Sequence, residues 1–450
     1  METVAEIITS MREVAPPGQQ SLDAATRRRL WELAESLIMA KDGARAEHER
    51  FLAIGERGLC LPEAAVRARL SGATVLVTGG TGCIGSALMA QIADRQPGRL
   101  VSVSRGVSAE WPRLDSAEYR YGDVREPDAL AALFEEFRPD LVFHVAAQRD
   151  PGLAETEVHR TVTTNVLGTR NVLTAAASAE VPQVVCSSTG KALRPFSPDM
   201  YTASKRAAEW VTSTVAGSTD MLCSAGRFTH VLDNSLIYQR LLSWAENGQD
   251  AVIRLHSTEI GFYVQSALES AHLLLLACVG SARGELRVFS ISDLGWPVGL
   301  LDLALAVVAR SGRRTPIYFS GYDPGYEEIP FPGLYDPLTA GDVSPLLNAF
   351  EAGTLVDSPC PLVDAFRVEI APDQGAVKQL SALSDACERN ADPQMARGLL
   401  NELSWSLLDA TLRAVPRPRL ARCAVLAGRH GELAGDHARV LRAIQKACCE

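Results

Sequence analysis

One segment limits the fold more than any other. Thr74-Val75-Leu76-Val77-Thr78 reads as a buried strand, Gly79-Gly80-Thr81-Gly82 as a turn, and Cys83-Ile84-Gly85-Ser86-Ala87-Leu88-Met89-Ala90 as the opening of a helix. A strand that runs through a glycine-rich turn into a helix is the first half of a βα unit, and it calls for a parallel sheet covered by helices. Gly79 permits the tight turn, Gly82 lets a pyrophosphate approach the backbone, and Gly85 lets helix and strand pack closely. The helix start then offers N–H groups and the positive end of its dipole to the anion. Thr81, Cys83 and Ile84 complete this candidate cradle. A glycine turn without a ligand is the alternative, and the flanking strand and helix weigh against it.

From Ala73 onward, short apolar runs at 74–77, 100–103, 141–144, 183–186 and 221–225 alternate with helical stretches. That alternation predicts an α/β chain with a Rossmann-type doubly wound parallel sheet over 73–280. Residues 1–72 carry an amphipathic pattern (Leu30, Leu33, Leu37, Ile38) with Ser21 or Asp23 as a cap, and read as a helical N-terminal extension. After Arg227 the periodicity loosens, and the Pro- and Gly-rich stretch 318–341 reads as loop. A smaller substrate-binding region is expected over 281–376, with segments from 228–262. Residues 377–450 return to Ala, Leu, Arg and Glu, with a break at Pro416-Arg417-Pro418, and read as a helical C-terminal appendage.

The composition, 47% hydrophobic and 22% charged, is that of a folded globular chain. A formal charge of −10 argues against a general grip on nucleic acid, which needs clustered Lys and Arg. The ten cysteines show no spacing suited to zinc, so reduced structural thiols and no metal site are expected. The N-terminus does not read as a secretory signal, and the longest apolar stretches are too short to span a bilayer. A cytoplasmic protein with no membrane contact is the expectation.

About twenty residues past Gly85, where a carboxylate would bind the ribose hydroxyls of NAD, the strand ends in Ser104-Arg105. Arginine at that tip suits a 2′-phosphate, so the reading favours NADP over NAD, with a solvated loop charge as the alternative. Gly122-Asp123-Val124 follows a short strand and offers Asp123 to an adenine amino group; an ordinary turn aspartate is the equal alternative. Farther on, Tyr201-Thr202-Ala203-Ser204-Lys205 opens a helix, which puts Tyr201 and Lys205 on one face a turn apart. A nearby ammonium favours the phenolate and makes Tyr201 an acid or base toward a substrate hydroxyl, while Lys205 holds a nicotinamide ribose. Upstream, a strand ends in Ser187-Ser188-Thr189 at the sheet edge where ligands of such folds bind. Thr189 is the candidate to hydrogen-bond the reacting oxygen, against a capping hydroxyl, with Ser188 as fallback. His230 is read either as a substrate contact or as a structural histidine.

These residues, in order, resemble the extended short-chain dehydrogenase/reductases. Within them the chain is most similar to the bacterial polysaccharide-biosynthesis group that includes UDP-N-acetylglucosamine 4,6-dehydratases. The resemblance runs over about 52–336. It includes the glycine loop, Gly122-Asp123-Val124-Arg125, His144-Val145-Ala146-Ala147-Gln148, Thr164-Asn165-Val166-Leu167-Gly168-Thr169, Ser188-Thr189-Gly190-Lys191-Ala192 and 201–206. It implies that Ala146 and Ala147, with Gln148 and Val124 beside them, line the cofactor and that Asn165 supports the active-site strand. It further implies that Thr189, Tyr201, Lys205 and Lys191 carry the chemistry, and that the chain forms a homodimer.

The substrate side departs from that pattern. Gly190 stands where the group has a carboxylate; where the group has a glycine and asparagine followed by a small-residue motif for the nucleotide diphosphate, the chain reads Arg227-Phe228-Thr229-His230-Val231 and then Asn234-Ser235-Leu236-Ile237-Tyr238; and the phosphate-binding arginine expected near 260–262 is missing. Arg227 and His230 are therefore the substrate-side candidates, with Ser188. The expected activity is oxidation or reduction of a secondary alcohol or ketone of a sugar or nucleotide-linked sugar, as a dehydratase, epimerase or reductase. A reductase of a non-sugar substrate and a catalytically silent dinucleotide-binding protein are the alternatives.

Overall fold

The computed structural model describes residues 2–41, 43–106, 110–322, 344–428 and 435–449. Most of the expected 318–341 loop lies outside them; its first two residues instead end a strand, Ile317–Phe319. The strands, in chain order, are β1 (Thr74–Thr78), β2 (Arg99–Ser104), β3 (Glu118–Tyr121), β4 (Leu141–His144), β5 (Gln183–Thr189), β6 (Leu222–Phe228), β7 (His230–Val231), β8 (Ile253–Leu255), β9 (Gly261–Phe262), β10 (Val264–Gln265), β11 (Leu286–Ile291), β12 (Val298–Gly299), β13 (Ile317–Phe319), β14 (Leu355–Val356) and β15 (Val363–Arg367).

Two compact units form. One contains Gly58–Thr229, Ala267–Asp293 and Ile329–Glu450. Its sheet runs β14-β15-β11-β6-β5-β4-β1-β2-β3. From β3 to β11 every pairing is parallel; β15 then adds antiparallel to β11, and β14 antiparallel to β15. Val75, Leu76 and Val77 are fully buried, as a strand covered on both faces by helices requires. The chain winds outward from β1 through β2 to β3 and, on the other side, from β4 through β5 and β6 to β11. The strand order therefore reverses between β1 and β4, which is where a doubly wound sheet opens a crevice at its carboxyl edge.

The other unit contains Met1–Arg57, His230–Ser266 and Leu294–Glu328. Helix Val4–Val14 begins with a capping box between Thr3 and Glu6, and helix Ala24–Ala40 is capped by Asp23, which accepts from the Thr26 amide at 2.7 Å. Leu30, Leu33 and Leu37 join Phe51, Leu301 and Leu305 in one apolar cluster. Three two-stranded pairings, β7 with β10, β9 with β12 and β8 with β13, complete it.

Two expected boundaries shift. The 1–72 stretch is divided, because 1–57 shares a core with 230–266 and 294–328 while helix Glu63–Leu70 belongs to the sheet unit. The 281–376 region is divided too, since β11, β14 and β15 extend the central sheet. The C-terminal helices Gln374–Glu388, Pro393–Ala414, Arg417–Gly428 and Gly435–Cys449 break at Val415-Pro416, where proline cannot continue the preceding helix. Among the described residues, no helix is long and apolar enough to cross a membrane.

Candidate active site

The glycine turn leaves β1 with Gly79 at φ +75°, a conformation that favours glycine. A Cβ there would lie 2.8 Å from the Ala146 amide nitrogen, so the loop after β4 passes directly over the turn. A Cβ on Gly85 would fall 2.1 Å from the Gly79 carbonyl oxygen, which explains why helix Cys83–Ala93 can start so close to the strand. Gly82 differs. It is exposed, its Cβ would meet only the Gly79 oxygen at an ordinary 3.5 Å, and the helix that follows has no side-chain cap. Open backbone and a helix start without a side-chain cap together suit an anion. The Thr81 hydroxyl donates to the Gly106 carbonyl at 2.9 Å and ties the cradle to the end of β2, where Arg105 is exposed. Cys83 is buried and Ile84 half-buried in the first helical turn.

Asp123 is 3% exposed, and Arg125 brackets its carboxylate, with Nε 2.9 Å and Nη2 2.5 Å from Oδ2. Burial alone would raise the carboxyl, but the Arg125 hydrogen bonds outweigh it and hold Asp123 below the usual carboxylate range. Val124 packs into the core against Gly168.

Between β1 and β5, β4 ends in His144, which sequence reading passed over except as part of a motif. The Thr78 hydroxyl lies 2.8 Å from its Nδ1 and that of Thr169 lies 3.0 Å from its Nε2. Because Thr169 donates to the Asn165 carbonyl at 2.7 Å, it accepts from Nε2–H, which assigns the neutral Nε2–H tautomer. Burial and the Lys205 ammonium push this imidazole down to about 3.

Asn165 sits in a π-helical turn, Thr163–Leu167. Its Oδ1 accepts from the Gln148 amide at 2.8 Å, and its Nδ2 donates to the Gln148 carbonyl and to the Ser204 hydroxyl, each at 3.0 Å. One side chain thus fastens the loop carrying Ala146, Ala147 and Gln148 to the helix carrying Tyr201.

That helix, Met200–Ser218, is capped by Asp199, which accepts from the Thr202 amide at 2.7 Å. The Thr189 hydroxyl acts on the Tyr201 phenol and pulls it down. The Lys191 ammonium lies 5.9 Å from the Tyr201 ring centroid, and the Lys191 amide donates to Thr189 Oγ1 at 3.3 Å. Lys205 is buried and donates from Nζ to the Ser187 carbonyl at 2.8 Å. The electrostatics differ from the expected lysine–phenolate pairing. Burial pushes the Tyr201 phenol up to about 12, opposed by the Thr189 hydrogen bond and the Arg149 cation, while Lys205 acts on His144 and Cys186. Burial also lowers the Lys205 ammonium, with Cys186 and Glu209 pulling it back up. Arg149, next to Gln148, is a cation acting on the Tyr201 phenol that no spacing in the sequence singled out.

Three expected substrate residues move away from that role. β5 pairs with β6 so that Ser188 stands opposite Arg227. Successive side chains alternate between faces, so Thr189 faces the opposite way from both. Arg227 is fully buried between Glu209 and Glu351, and the Ser188 hydroxyl donates to Glu209 at 2.6 Å. His230 belongs to the other unit, where its Nε2 is 2.6 Å from the Ser235 hydroxyl and its ring meets Phe262 edge-on; burial pushes it down to about 4. It is a hydrogen-bonded structural histidine. At Gly190, a Cβ would stand 2.5 Å from Leu346 Cδ2, so that space is already filled.

A glycine cradle at the strand-order switch, with a Thr-Tyr-Lys set two strands away, defines an extended short-chain dehydrogenase/reductase. A family model described as polysaccharide biosynthesis protein matches residues 75–329, more than half of the chain, and the chain belongs to that family. It is 29% identical over 294 residues to the capsular polysaccharide biosynthesis protein CapD of Staphylococcus aureus, covering 61% of this chain and 48% of that protein. It is 26% identical over 171 residues to a UDP-N-acetylglucosamine 4,6-dehydratase (inverting) of Campylobacter jejuni, covering 36% of this chain and 50% of that one. The chain spans about half the length of these curated relatives. The structure of Pen from Bacillus thuringiensis superposes with a TM-score of 0.56 at 23% identity, over 68% of this chain and 89% of that one, and shares the fold.

Proposed function

We propose that this chain is an NAD(P)-dependent enzyme that moves a hydride to or from a secondary alcohol carbon of a nucleotide-linked sugar. The observation that carries the reading is the convergence of Thr189, Lys191, Tyr201 and the buried Lys205, whose Nζ donates to the Ser187 carbonyl, at the same sheet edge as the Gly79 to Gly85 cradle. Membership in a polysaccharide-biosynthesis family supports a sugar substrate. The dehydratase relative makes UDP-N-acetylglucosamine the first substrate to try.

The cradle fits a dinucleotide: Gly82 leaves its backbone open and the helix behind it is uncapped. Gly82, with the amides of Cys83 and Ile84, would hold the pyrophosphate, Ala146 and Ala147 would line the cofactor, and Arg105 would meet a 2′-phosphate, favouring NADP. A bound nicotinamide supplies the hydride acceptor or donor. Tyr201 Oη exchanges the proton of the substrate hydroxyl, and Thr189 Oγ1 orients that oxygen. Lys205, anchored on Ser187 by one N–H, keeps its other two for the ribose hydroxyls. Lys191 and Arg149 add positive charge beside the phenol. Asn165 keeps the loop and the tyrosine helix in register.

Calorimetric titration with NADP and NAD, followed by absorbance at the nicotinamide band on adding UDP-N-acetylglucosamine or UDP-glucose, tests the reading. Binding of neither coenzyme would remove it. Arg105→Glu is expected to weaken NADP by about tenfold or more while sparing NAD; equal losses for both would leave Arg105 a surface charge. The same reading takes the chain as a cytoplasmic homodimer, which sedimentation of the purified protein checks for mass.

A further inference from the structure

We propose that residues 344–353, C-terminal to the stretch that matches the family, act as a clamp on the catalytic turn, with Leu346 and Glu351 as its positioning residues. The catalytic meaning rests on the function proposed above; the clamp itself does not.

The turn in question is Gly190–Leu193, which follows Thr189 and contains Lys191. Both of its ends are held from the clamp. Leu346 fills the space over Gly190, and Asn348 Nδ2 donates to the Leu193 carbonyl at 2.5 Å. Behind the turn a chain of charges runs through the interior. Glu351 accepts from Arg227 at 2.7 and 2.8 Å and from Arg206 at 3.2 Å. Arg227 donates in turn to Glu209 at 2.8 and 2.9 Å and to the Leu346 carbonyl at 3.0 Å. Glu209 accepts from Ser188, the residue before Thr189.

The four charged side chains are all less than a tenth exposed. Apolar side chains would fill such a space at lower desolvation cost, whereas forked guanidinium–carboxylate pairs fix orientation. What they fix is the strand end that carries Thr189, one residue from Ser188, and the helix that carries Lys205, one residue from Arg206.

Amide hydrogen exchange on the full chain reads the clamp without any substrate. Glu351→Ala and Leu346→Ala are each expected to speed exchange over 187–194 by about tenfold, leaving 79–85 unchanged, with Glu351→Gln between them and the parent. Gly190→Ala is expected to lower turnover about tenfold at little changed KM, and adding Leu346→Ala to recover much of it, because the new methyl then finds room. Unchanged exchange at 187–194, or strictly additive effects at 190 and 346, would overturn the clamp. Should Glu351→Ala lose its cooperative melt, the 190/346 cycle decides alone. Exchange as expected in a protein that neither reduces nicotinamide with any nucleotide sugar nor converts one to product would instead remove the substrate assignment.

Discussion

Tyr201 carries its proton at neutral pH, because burial holds the phenol near 12 and only Thr189 and Arg149 oppose it. The rate of alcohol oxidation is therefore expected to climb as pH rises toward that value. Tyr201→Phe is expected to cost about 10²–10⁴ in turnover with coenzyme affinity retained; a kcat profile that is flat up to pH 9 in the parent would argue against the phenol as base. His144 makes a different statement. Its imidazole sits near 3 in the fold against 6.5 when free, so its contribution to stability is whole above about pH 6.5 and is lost as pH falls toward 3, with His230 acting in the same direction. Urea midpoints measured from pH 7 to 4 should fall steadily; a constant midpoint would contradict these environments. The helix that carries Tyr201 and Lys205 and the glycine turn after β1 were legible in the sequence because such local elements depend on neighbours a few residues away. Arg227 and Ser188 were misread because what claims them, Glu351 for one, lies 124 residues from Arg227 and leaves no local pattern.

At the scale of elements, the strand expected to end in Ser187-Ser188-Thr189 does so. Its apolar run stops at Cys186, and β5 continues through the polar Ser187-Ser188-Thr189 because pairing with β6 supplies hydrogen bonds that side-chain polarity does not veto. The run 141–144, apolar and buried along its length, was read correctly as β4. The glycine turn yields a sharp contrast between two substitutions. Gly85→Ala sets a methyl against the Gly79 carbonyl and is expected to unfold the turn or lower the melting temperature by several degrees, whereas Gly82→Ala meets no such obstacle. Gly82→Ala should melt as the parent does and bind dinucleotide weakly. Parent-like binding in Gly82→Ala would mean that the phosphate lies elsewhere.

At the scale of the molecule, the parallel sheet was legible from the alternation of strands and helices, but its antiparallel extension through β15 and β14 was not, because those short strands follow a long Pro- and Gly-rich stretch of sequence with no alternating pattern. The extension arrives with Glu351, so the sheet unit closes on charges as well as on apolar side chains. Arg227→Met would leave two buried carboxylates with Arg206 alone between them, at a cost of about 3–5 kcal/mol. Calorimetric melting should register that loss, while Arg45→Ala, at a pair that is 92% exposed on the arginine side, should stay within about 0.5 kcal/mol of the parent. Similar effects for the two would refute the assignment of a structural centre at Arg227. The three-segment unit has a further consequence during synthesis. Ile7, Met11, Leu30 and Phe51 complete their apolar core only after Leu301 and Tyr318 have been made. At about 10 residues per second, the nascent chain trails those greasy helix faces from the ribosome for on the order of half a minute, a window in which a holding chaperone has something to hold.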